Sequence, residues 1–350
     1  MQRKIGKPAA YNLVFQDYLI HGIDDHIKRN RIQEMAYLQS PLREDCITCG
    51  FPLKEVDFTR SSISFSFCIE CGHLNGRNIL REENFIETYE LTKKSGIDYD
   101  TQYLDSKSIF LEKVKNIYNP KAKFFKDSIL HDQPRINISK MNILDFGTAS
   151  GHMVLAMKEN GFNKTKGIDP MLSAINHGKK IIGIKELSYV PINESISYLR
   201  DINLDVVIMM CVLPHIQNQH KILSAMQENP NIKYTFQKFP MFSLASLLDI
   251  NYSDINSRVL AGAHTNLYTE ESLKWIEKKY NLRRVSEWRF GSDILDLYRN
   301  LSIKMSKSDF SSVLQKRFKE NFVPLIDKLQ YSLDDGNFAS EIHLIWEFVK

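Results

Sequence analysis

Apolar residues follow two different periods along the middle of the chain. Short apolar runs bounded by polar or turn residues are typical of buried strands, and between them apolar residues recur at the spacing of amphipathic helices. Strands that alternate with helices predict an α/β fold with a largely parallel sheet. The predicted strands cover residues 143–146, 166–169, 187–190, 205–213, 232–239 and 283–288.

The patterns outside this region predict smaller units. Residues 1–45 have a helical pattern, and residues 81–135 combine helical patterns into a connector that covers the principal domain at 136–300. Residues 46–80 contain two cysteine pairs and form a unit of their own. Residues 301–350 are amphipathic and are predicted to be helical.

The composition is that of a globular protein without a membrane span. The chain has 350 residues, of which 43% are hydrophobic, and this is ample material for a core. Residues 1–8 lack the apolar core of a signal peptide, and no run reaches the roughly 18 apolar residues of a spanning helix, so we expect a cytoplasmic protein. The net charge of +4 neither requires nor excludes nucleic acid as a partner.

The first predicted strand ends in an acid and a glycine-spaced turn. Asp145 is followed by Gly147, Ala149 and Gly151, and then a helical pattern begins. Small residues let the backbone approach a ligand here, and the N–H groups of the following helix point toward that ligand. Asp169, at the end of the next predicted strand, stands where a carboxylate accepts hydrogen bonds from ribose hydroxyls. The pattern predicts a nucleoside-binding site.

Two common nucleotide motifs do not fit this turn. A dinucleotide fingerprint that starts at Gly147 needs glycines where Ala149 and His152 stand, and no GxxxxGK[ST] phosphate loop occurs here. The turn instead resembles motif I of the class I S-adenosylmethionine-dependent methyltransferases, and residues 167–170 (Gly-Ile-Asp-Pro) resemble their acidic second motif.

This resemblance implies a fold, a cofactor and a binding site. The fold would be a Rossmann-like core of seven strands with a reversed hairpin at its edge, and the cofactor would be S-adenosylmethionine. The turn from Gly147 to Gly151, with Asp145 and Ala149 in the same site, would hold the methionine part of the cofactor, and Asp169 would hold the ribose. A nucleotide-free doubly wound domain whose turn only packs tightly is the alternative.

A histidine follows the apolar run of residues 205–213. In the resembling family this strand commonly ends in a segment like Val-Leu-Glu-His, and here Pro214 takes the place of the glutamate before His215. An imidazole with a pKa near ~6.5 at this position is a candidate base for the acceptor's proton. The alternative is that His215 only caps the strand or orients a neighbour.

Further candidates for the acceptor pocket are weaker. His264 and Asn266 match a His-x-Asn stretch that stands beside the acceptor in many relatives, so His264 is the second candidate base. A loop histidine that bonds to the backbone is the alternative for His264. Three other residues are more simply packing or surface residues that could line the pocket: Tyr99, Tyr103 and Glu194.

Two CxxCG pairs, at Cys46 and Cys49 and at Cys68 and Cys71, predict a zinc ribbon. Paired knuckles at this spacing place four thiolates around one tetrahedral ion, and a closed set of four cysteines predicts structural Zn²⁺ without a catalytic role. Two disulfides are the alternative. Cys211, inside an apolar run, is most simply a core residue.

The order of a four-cysteine ribbon, a helical connector and a methyltransferase core resembles bacterial zinc-containing sugar C-methyltransferases and their relatives in polysaccharide clusters. The resemblance covers residues 46–300 and implies transfer of a methyl group to a nucleotide-linked sugar or glycan precursor. Pro214 leaves oxygen methylation equally open. The part of the chain after residue 300 is short, so pocket closure must differ or come from a partner chain, which leaves a homo-oligomer open.

Two other functions remain open from the sequence. An RNA base methyltransferase also joins a zinc ribbon to this fold, but residues 46–80 are balanced in charge, which argues against a phosphate-binding surface. An inactive methyltransferase fold that serves as a binding protein is the other alternative. The intact acids and glycines of the turn argue against it.

Overall fold

A computed structural model gives the fold of the chain. No helix among the residues that it describes is long and apolar enough to cross a bilayer. The described residues are 1–7, 23–79, 105–252, 255, 258–260, 265–308 and 311–350.

Twelve strands are present in the described residues. In chain order they are β1 (Gln2–Ile5), β2 (Phe58–Arg60), β3 (Ile63–Phe67), β4 (Leu74–Gly76), β5 (Asn142–Phe146), β6 (Lys164–Asp169), β7 (Leu187–Tyr189), β8 (Val206–Met210), β9 (Tyr234–Pro240), β10 (Asn266–Leu267), β11 (Leu282–Phe290) and β12 (Glu341–Phe348).

Helices connect and flank these strands. They are α1 (Ile23–Leu38), α2 (Lys107–Lys113), α3 (Asn119–Asp132), α4 (His152–Glu159), α5 (Leu172–His177), α6 (Ile192–Asp201), α7 (Gln219–Glu228), α8 (Leu244–Asn251), α9 (Glu270–Lys279), α10 (Asp293–Ser306), α11 (Ser312–Phe322) and α12 (Ile326–Asp335). Wider π-helical turns follow α2 at Val114–Tyr118 and α5 at Gly178–Ile182.

The main sheet has eight strands in the order β1-β11-β12-β9-β8-β5-β6-β7. The five strands from β9 to β7 are parallel, whereas β12 runs antiparallel to both of its neighbours, β9 and β11. Seven of the eight strands therefore run in the same direction, and β12 is the one reversed strand. The predicted fold class, a Rossmann-like α/β core, is confirmed, but β1 adds an eighth strand to the seven expected.

Apolar side chains on the two faces of the sheet form two core layers. Val206 and Ile208 of β8 point into the layer under α3 and α4, whereas Val207 and Met209 point into the layer under α6, α7 and α9. All four side chains are fully buried, which explains why this strand has an uninterrupted apolar run in the sequence. The helices on both faces carry the connections that parallel strands require.

The prediction that residues 301–350 are helical is wrong for their last part. The chain is helical through α10, α11 and α12, but β12 then enters the sheet between β9 and β11. Because both faces of β12 are covered, six of its eight residues are buried, and its pattern shows no clean alternation. The sheet is therefore completed by residues far beyond the predicted end of the domain at 300.

The N-terminal segment also contributes a strand, where the prediction for 1–45 was helical. The short polar strand β1 pairs in parallel with β11 at the edge of the sheet. Arg3 forms an ion pair of 3.0 Å with the buried Glu287, and the Trp288 indole donates a hydrogen bond to the Gly6 carbonyl. These contacts with β11 hold β1 although its own residues are mostly polar. The helix α1 in the same segment agrees with the prediction.

A second, four-stranded sheet has the order β10-β4-β3-β2. The strand β3 lies between the two cysteine pairs, and its Phe65 stacks on Phe58 with ring centroids 4.9 Å apart. The outer strand β10 comes from the part of the chain that belongs to the principal domain. The cysteine-containing unit is therefore joined to the main domain by backbone hydrogen bonds between β4 and β10.

Candidate functional site

The turn after β5 packs too closely on its neighbours to accept side chains at its glycines. Gly147, Ala149 and Gly151 all have left-handed backbone angles, with φ of 76°, 49° and 90°. A Cβ on Gly147 would lie 2.5 Å from Val212, and one on Gly151 would lie 2.9 Å from Leu187. The turn is therefore wedged between the loop that follows β8 and the start of β7, with no room for a side chain at either glycine.

Asp169, the last residue of β6, holds this turn. One carboxylate oxygen accepts a hydrogen bond of 2.8 Å from the Ala149 N–H, and the other accepts one of 2.8 Å from the Met171 N–H. Each oxygen keeps a further lone pair that a ligand hydroxyl can use. Burial raises the pKa of this carboxyl, and the two backbone donors oppose the rise.

Asp145 is the second acid at the turn. It is 2% exposed, and its carboxylate accepts a hydrogen bond of 2.6 Å from the Thr148 hydroxyl. Burial raises its pKa to about 7, and the charge of Asp169 adds to the rise. Two acids that disfavour each other's ionisation suit a ligand with positive charge or hydroxyl donors. The structure thus brings together the five predicted cofactor residues, and their role in binding stays a prediction.

A cover of helices lies on the other side of the turn. His152, the first residue of α4, stacks between Phe110 and Tyr118, with ring centroids 3.9 and 5.0 Å away. Its Nε2 is 3.2 Å from the carboxylate of Asp105, which also pairs with Lys113. The segment from residue 105 to α3 is thereby fixed over the site, as the predicted helical cover required.

His215 lies in the single helical turn Leu213–His215 that follows β8. Its imidazole interacts with the thiol of Cys211, whose backbone is left-handed with φ of 62°. Burial acts to raise the pKa of the Cys211 thiol, but His215 and the nearby Lys238 outweigh it and leave the pKa lowered. Cys211 was predicted to be a core residue inside a strand, and this is wrong because β8 ends one residue before it.

The other acceptor-pocket candidates have different outcomes. His264, Tyr99 and Tyr103 lie outside the described residues. Glu194 is exposed in the first turn of α6. Asn266 is buried in β10, and its amide lies 3.4 Å from the Pro214 carbonyl, so it ties the turn that contains His215 to the second sheet.

Sequence reasoning missed a group of charged residues at the same edge. Lys238, near the end of β9, pairs with Glu341, the first residue of β12, at 2.7 Å. Lys121 on α3 lies 5.3 Å from the Tyr118 ring. A lysine inside the apolar pattern of β9 was the one available sequence signal. Glu341 could have been predicted at this edge only if β12 had been recognised as a strand.

The four predicted metal ligands lie together. The sulfur atoms of Cys46, Cys49, Cys68 and Cys71 are all within 4.8 Å of one another, with 3.7 Å between Cys46 and Cys71 and 3.4 Å between Cys49 and Cys68. A tetrahedral ion with Zn–S bonds of about 2.3 Å needs sulfur atoms about 3.8 Å apart. The geometry of the four cysteines therefore fits a metal ion.

The chemistry of the four thiols also favours a cation. A hydrogen bond from Cys71 lowers the pKa of Cys46, while the same bond raises the pKa of Cys71, so only one of these two thiols ionises readily. A bound cation removes this conflict because it stabilises all four thiolates. The neighbouring His73 is fully buried and packs edge-on against Tyr268, with ring centroids 4.7 Å apart.

The cysteine-containing unit contacts the turn that contains His215. Asn75 of β4 accepts a hydrogen bond of 3.0 Å from the Ile47 N–H beside the first cysteine pair, and it pairs with Asn266 of β10 in the second sheet. Arg43 hydrogen-bonds to Gln217, two residues after His215. The cysteine knuckles therefore help to set the position of this turn.

Comparison with known proteins gives a family match for the principal domain. Residues 120–287 match the family described as "Methyltransferase domain". No curated protein matches the chain.

Solved structures with a similar fold share little sequence with the chain. They include magnesium protoporphyrin IX methyltransferase from Synechocystis with bound SAH (11% identity, TM-score 0.45, 77% of this chain and 100% of that one). A SAM-dependent methyltransferase from Archaeoglobus fulgidus has 16% identity and a TM-score of 0.38, and the match covers 68% of this chain and 99% of that one. A cyclopropane-fatty-acyl-phospholipid synthase-like protein from Lactobacillus casei has 12% identity and a TM-score of 0.39, and the match covers 71% of this chain and 100% of that one.

The close packing of Gly147 leads to a prediction. Gly147→Ala should lower the free energy of unfolding by the ~1–2 kcal/mol of a left-handed non-glycine residue and by about 1–3 kcal/mol more for the contact with Val212. Gly183→Ala is the matched control because φ there is 95° and a Cβ would meet nothing within 4 Å. Chemical denaturation measures both losses, and equal losses would show that the turn has room for a side chain.

Proposed function

We propose that the chain is an S-adenosylmethionine-dependent methyltransferase that transfers a methyl group to a sugar, with His215 as the base. The acceptor is a nucleotide-linked sugar or a glycan precursor in the biosynthesis of a bacterial surface polysaccharide. The observation that carries this proposal is the direct contact between two turns. Val212, at the start of the turn that contains His215, packs on Gly147 of the proposed cofactor turn.

The proposed cofactor contacts use hydrogen-bonding groups that the residues around the turn leave available. The carboxylate of Asp169 has lone pairs for the ribose hydroxyls beyond its two backbone hydrogen bonds. The backbone from Gly147 to Gly151 faces the methionine part of the cofactor, whose ammonium group offsets the cost of ionising Asp145. When bound, the cofactor supplies an electrophilic methyl group.

The residues of the chain must hold the acceptor and remove its proton. His215 would take the proton of the attacking acceptor atom, oxygen or carbon. That atom would bond to the methyl carbon while the sulfur–methyl bond breaks and its electron pair stays on the sulfur of the leaving thioether. Contact of His215 with Cys211 and the position of Asn266 against Pro214 restrict the ring and its turn. Positioning supplies most of the rate enhancement in such a displacement.

A sugar acceptor is favoured over RNA by the use of the ribbon's side chains. The ribbon's aromatic side chains pack against other aromatic rings. Phe58 stacks on Phe65, and Phe67 packs edge-on against Phe242 with ring centroids 5.0 Å apart. Arg60 is buried and donates hydrogen bonds to the carbonyls of residues 249 and 260. Few of these groups are left to stack on bases or to contact phosphates.

Zn²⁺ is the proposed ion at the four cysteines, in a structural role. The ligand set is closed, and the four cysteines pack with few other apolar residues. The bound ion would hold β4 against β10 and so stabilise the turn that contains His215.

The acceptor class is tested by transfer of labelled methyl from S-adenosylmethionine into two pools. One pool is an extract of nucleotide sugars and glycans, and the other is total RNA. We expect label in the sugar pool and none with Asp169→Ala, which removes the carboxylate proposed to hold the ribose. Label in RNA would replace the sugar acceptor by a nucleic acid, and label in neither pool would leave a protein acceptor or a binding function.

The role of His215 is tested separately from cofactor binding. His215→Ala should lower turnover at least ~100-fold because the acceptor loses its base, while calorimetry shows unchanged affinity for S-adenosylhomocysteine. His220→Ala is the control, since this histidine lies on α7 and bonds to Tyr280 instead. Turnover near that of the unchanged protein in His215→Ala would remove His215 from the mechanism.

The metal proposal is tested by elemental analysis of cysteine variants. The purified protein should contain one zinc per chain, and Cys49→Ser should lose most of the zinc and unfold at a lower temperature, because the ion stabilises the folded ribbon. Cys211→Ser should keep the zinc, since Cys211 is not in the cluster. Disulfides between the four cysteines, found by mass spectrometry without reduction, would contradict the metal site.

A further inference from the structure

Four charged residues form a cluster beside His215 that the proposed mechanism does not use. We call Lys7, Lys121, Lys238 and Glu341 the lysine cluster. Glu341 opens β12 at the same edge of the sheet where β9 ends with Lys238, and Lys7 lies over the ring of Phe290, 5.0 Å from its centroid. The four residues are close enough for their charges to shift one another's pKa values.

Glu341 is the one acid of the lysine cluster, and it is already engaged. Its carboxylate is 2.7 Å from Lys238 Nζ and 2.7 Å from His343 Nε2. Burial acts to raise the pKa of Glu341, but Lys238 and His343 outweigh burial and hold it well below its usual range. Glu341 is therefore an anion whose charge is balanced by Lys238.

The amino group of Lys121 has no anionic partner among the described residues. Lys121 is 6% exposed, and among the residues that the structure describes none forms an ion pair or hydrogen bond with its Nζ. Burial and the charge of Lys238 lower its pKa to about 7. An ammonium group in such surroundings is costly unless an anion comes to it.

The lysine cluster lies at the sheet edge where β8 ends, close to the residues that lead to the proposed base. Met210, which precedes Cys211, is paired with Lys238 on the neighbouring strand, so the thiol that contacts His215 is next to the cluster. On the other side, Tyr118 is close enough to both Lys238 and Asp145 for their charges to act on its pKa. Lys238 is therefore next to the strand end that leads to His215.

We infer that the methyl acceptor carries an anionic group, a phosphate or a carboxylate, that binds at Lys121 and Lys238. This inference rests on the proposed function because it places the acceptor at His215. It narrows the acceptor class, since a neutral sugar would leave the ammonium group of Lys121 without a partner. Lys121 and Lys238 would orient the acceptor through charge-assisted hydrogen bonds.

The inference is tested by calorimetric binding of two anions to the full chain saturated with S-adenosylhomocysteine. Inorganic pyrophosphate probes for a phosphate site and malonate for a carboxylate site. Lys121→Met keeps the length of the side chain and removes the charge, and it should lower the affinity for the anion at least ~10-fold. Lys121→Arg keeps the charge and should retain binding. Lys123→Met is the matched control, because Lys123 lies on the same helix but is 69% exposed and paired with Asp127.

Each outcome decides the inference. Loss of affinity in Lys121→Met, with affinity retained in Lys121→Arg and Lys123→Met, supports it, and the anion that binds tells phosphate from carboxylate. Binding of neither anion to the unchanged chain would overturn it. A loss of S-adenosylhomocysteine affinity in Lys121→Met, without an effect on the anions, would also overturn it and assign Lys121 to the cofactor. Methyl transfer to a pool other than sugars, with anion binding intact, would contradict the proposed acceptor class alone.

Discussion

The hydrogen bond from the Ala149 N–H to the Asp169 carboxylate is the contact on which the site depends. It joins the ends of β5 and β6 and holds a left-handed turn that leaves no space for side chains at Gly147 and Gly151. Because Val212 packs on the same turn, the position of the loop after β8 is fixed by that hydrogen bond as well. A shift of this turn would therefore move both the proposed cofactor site and the proposed base.

The cysteine unit supports the same loop from the opposite side. Its strand β4 pairs with β10, and Asn266 of β10 reaches the carbonyl of Pro214. The proposed base thus lies between the turn after β5 and the small sheet that contains β4 and β10. In the proposed function, a structural metal ion at the four cysteines would act on catalysis only through the position of this loop. It also gives the ribbon a use that does not involve nucleic acid.

Sequence patterns predicted the parallel strands, the glycine turn and the four-cysteine cluster, because each depends on neighbours in the chain. The turn needs small residues after an apolar strand, and the cysteine knuckles are local by nature. The strand β12 was missed because it is covered on both faces and follows three helices, so its run of buried residues lacked the alternation of a half-exposed strand. Lys121 and Glu341 could not be placed from the sequence at all. They are important because they are near each other in the fold, although Lys121 on α3 and Glu341 in β12 are far apart in the sequence.

The most direct measurement is a crystal structure of the chain with S-adenosylhomocysteine. The account predicts that the ribose hydroxyls lie within hydrogen-bond distance of the Asp169 carboxylate, and that the sulfur atom faces His215 across the turn from Gly147 to Gly151. A ligand bound elsewhere on the sheet, or one in this place that makes no contact with Asp169, would contradict it.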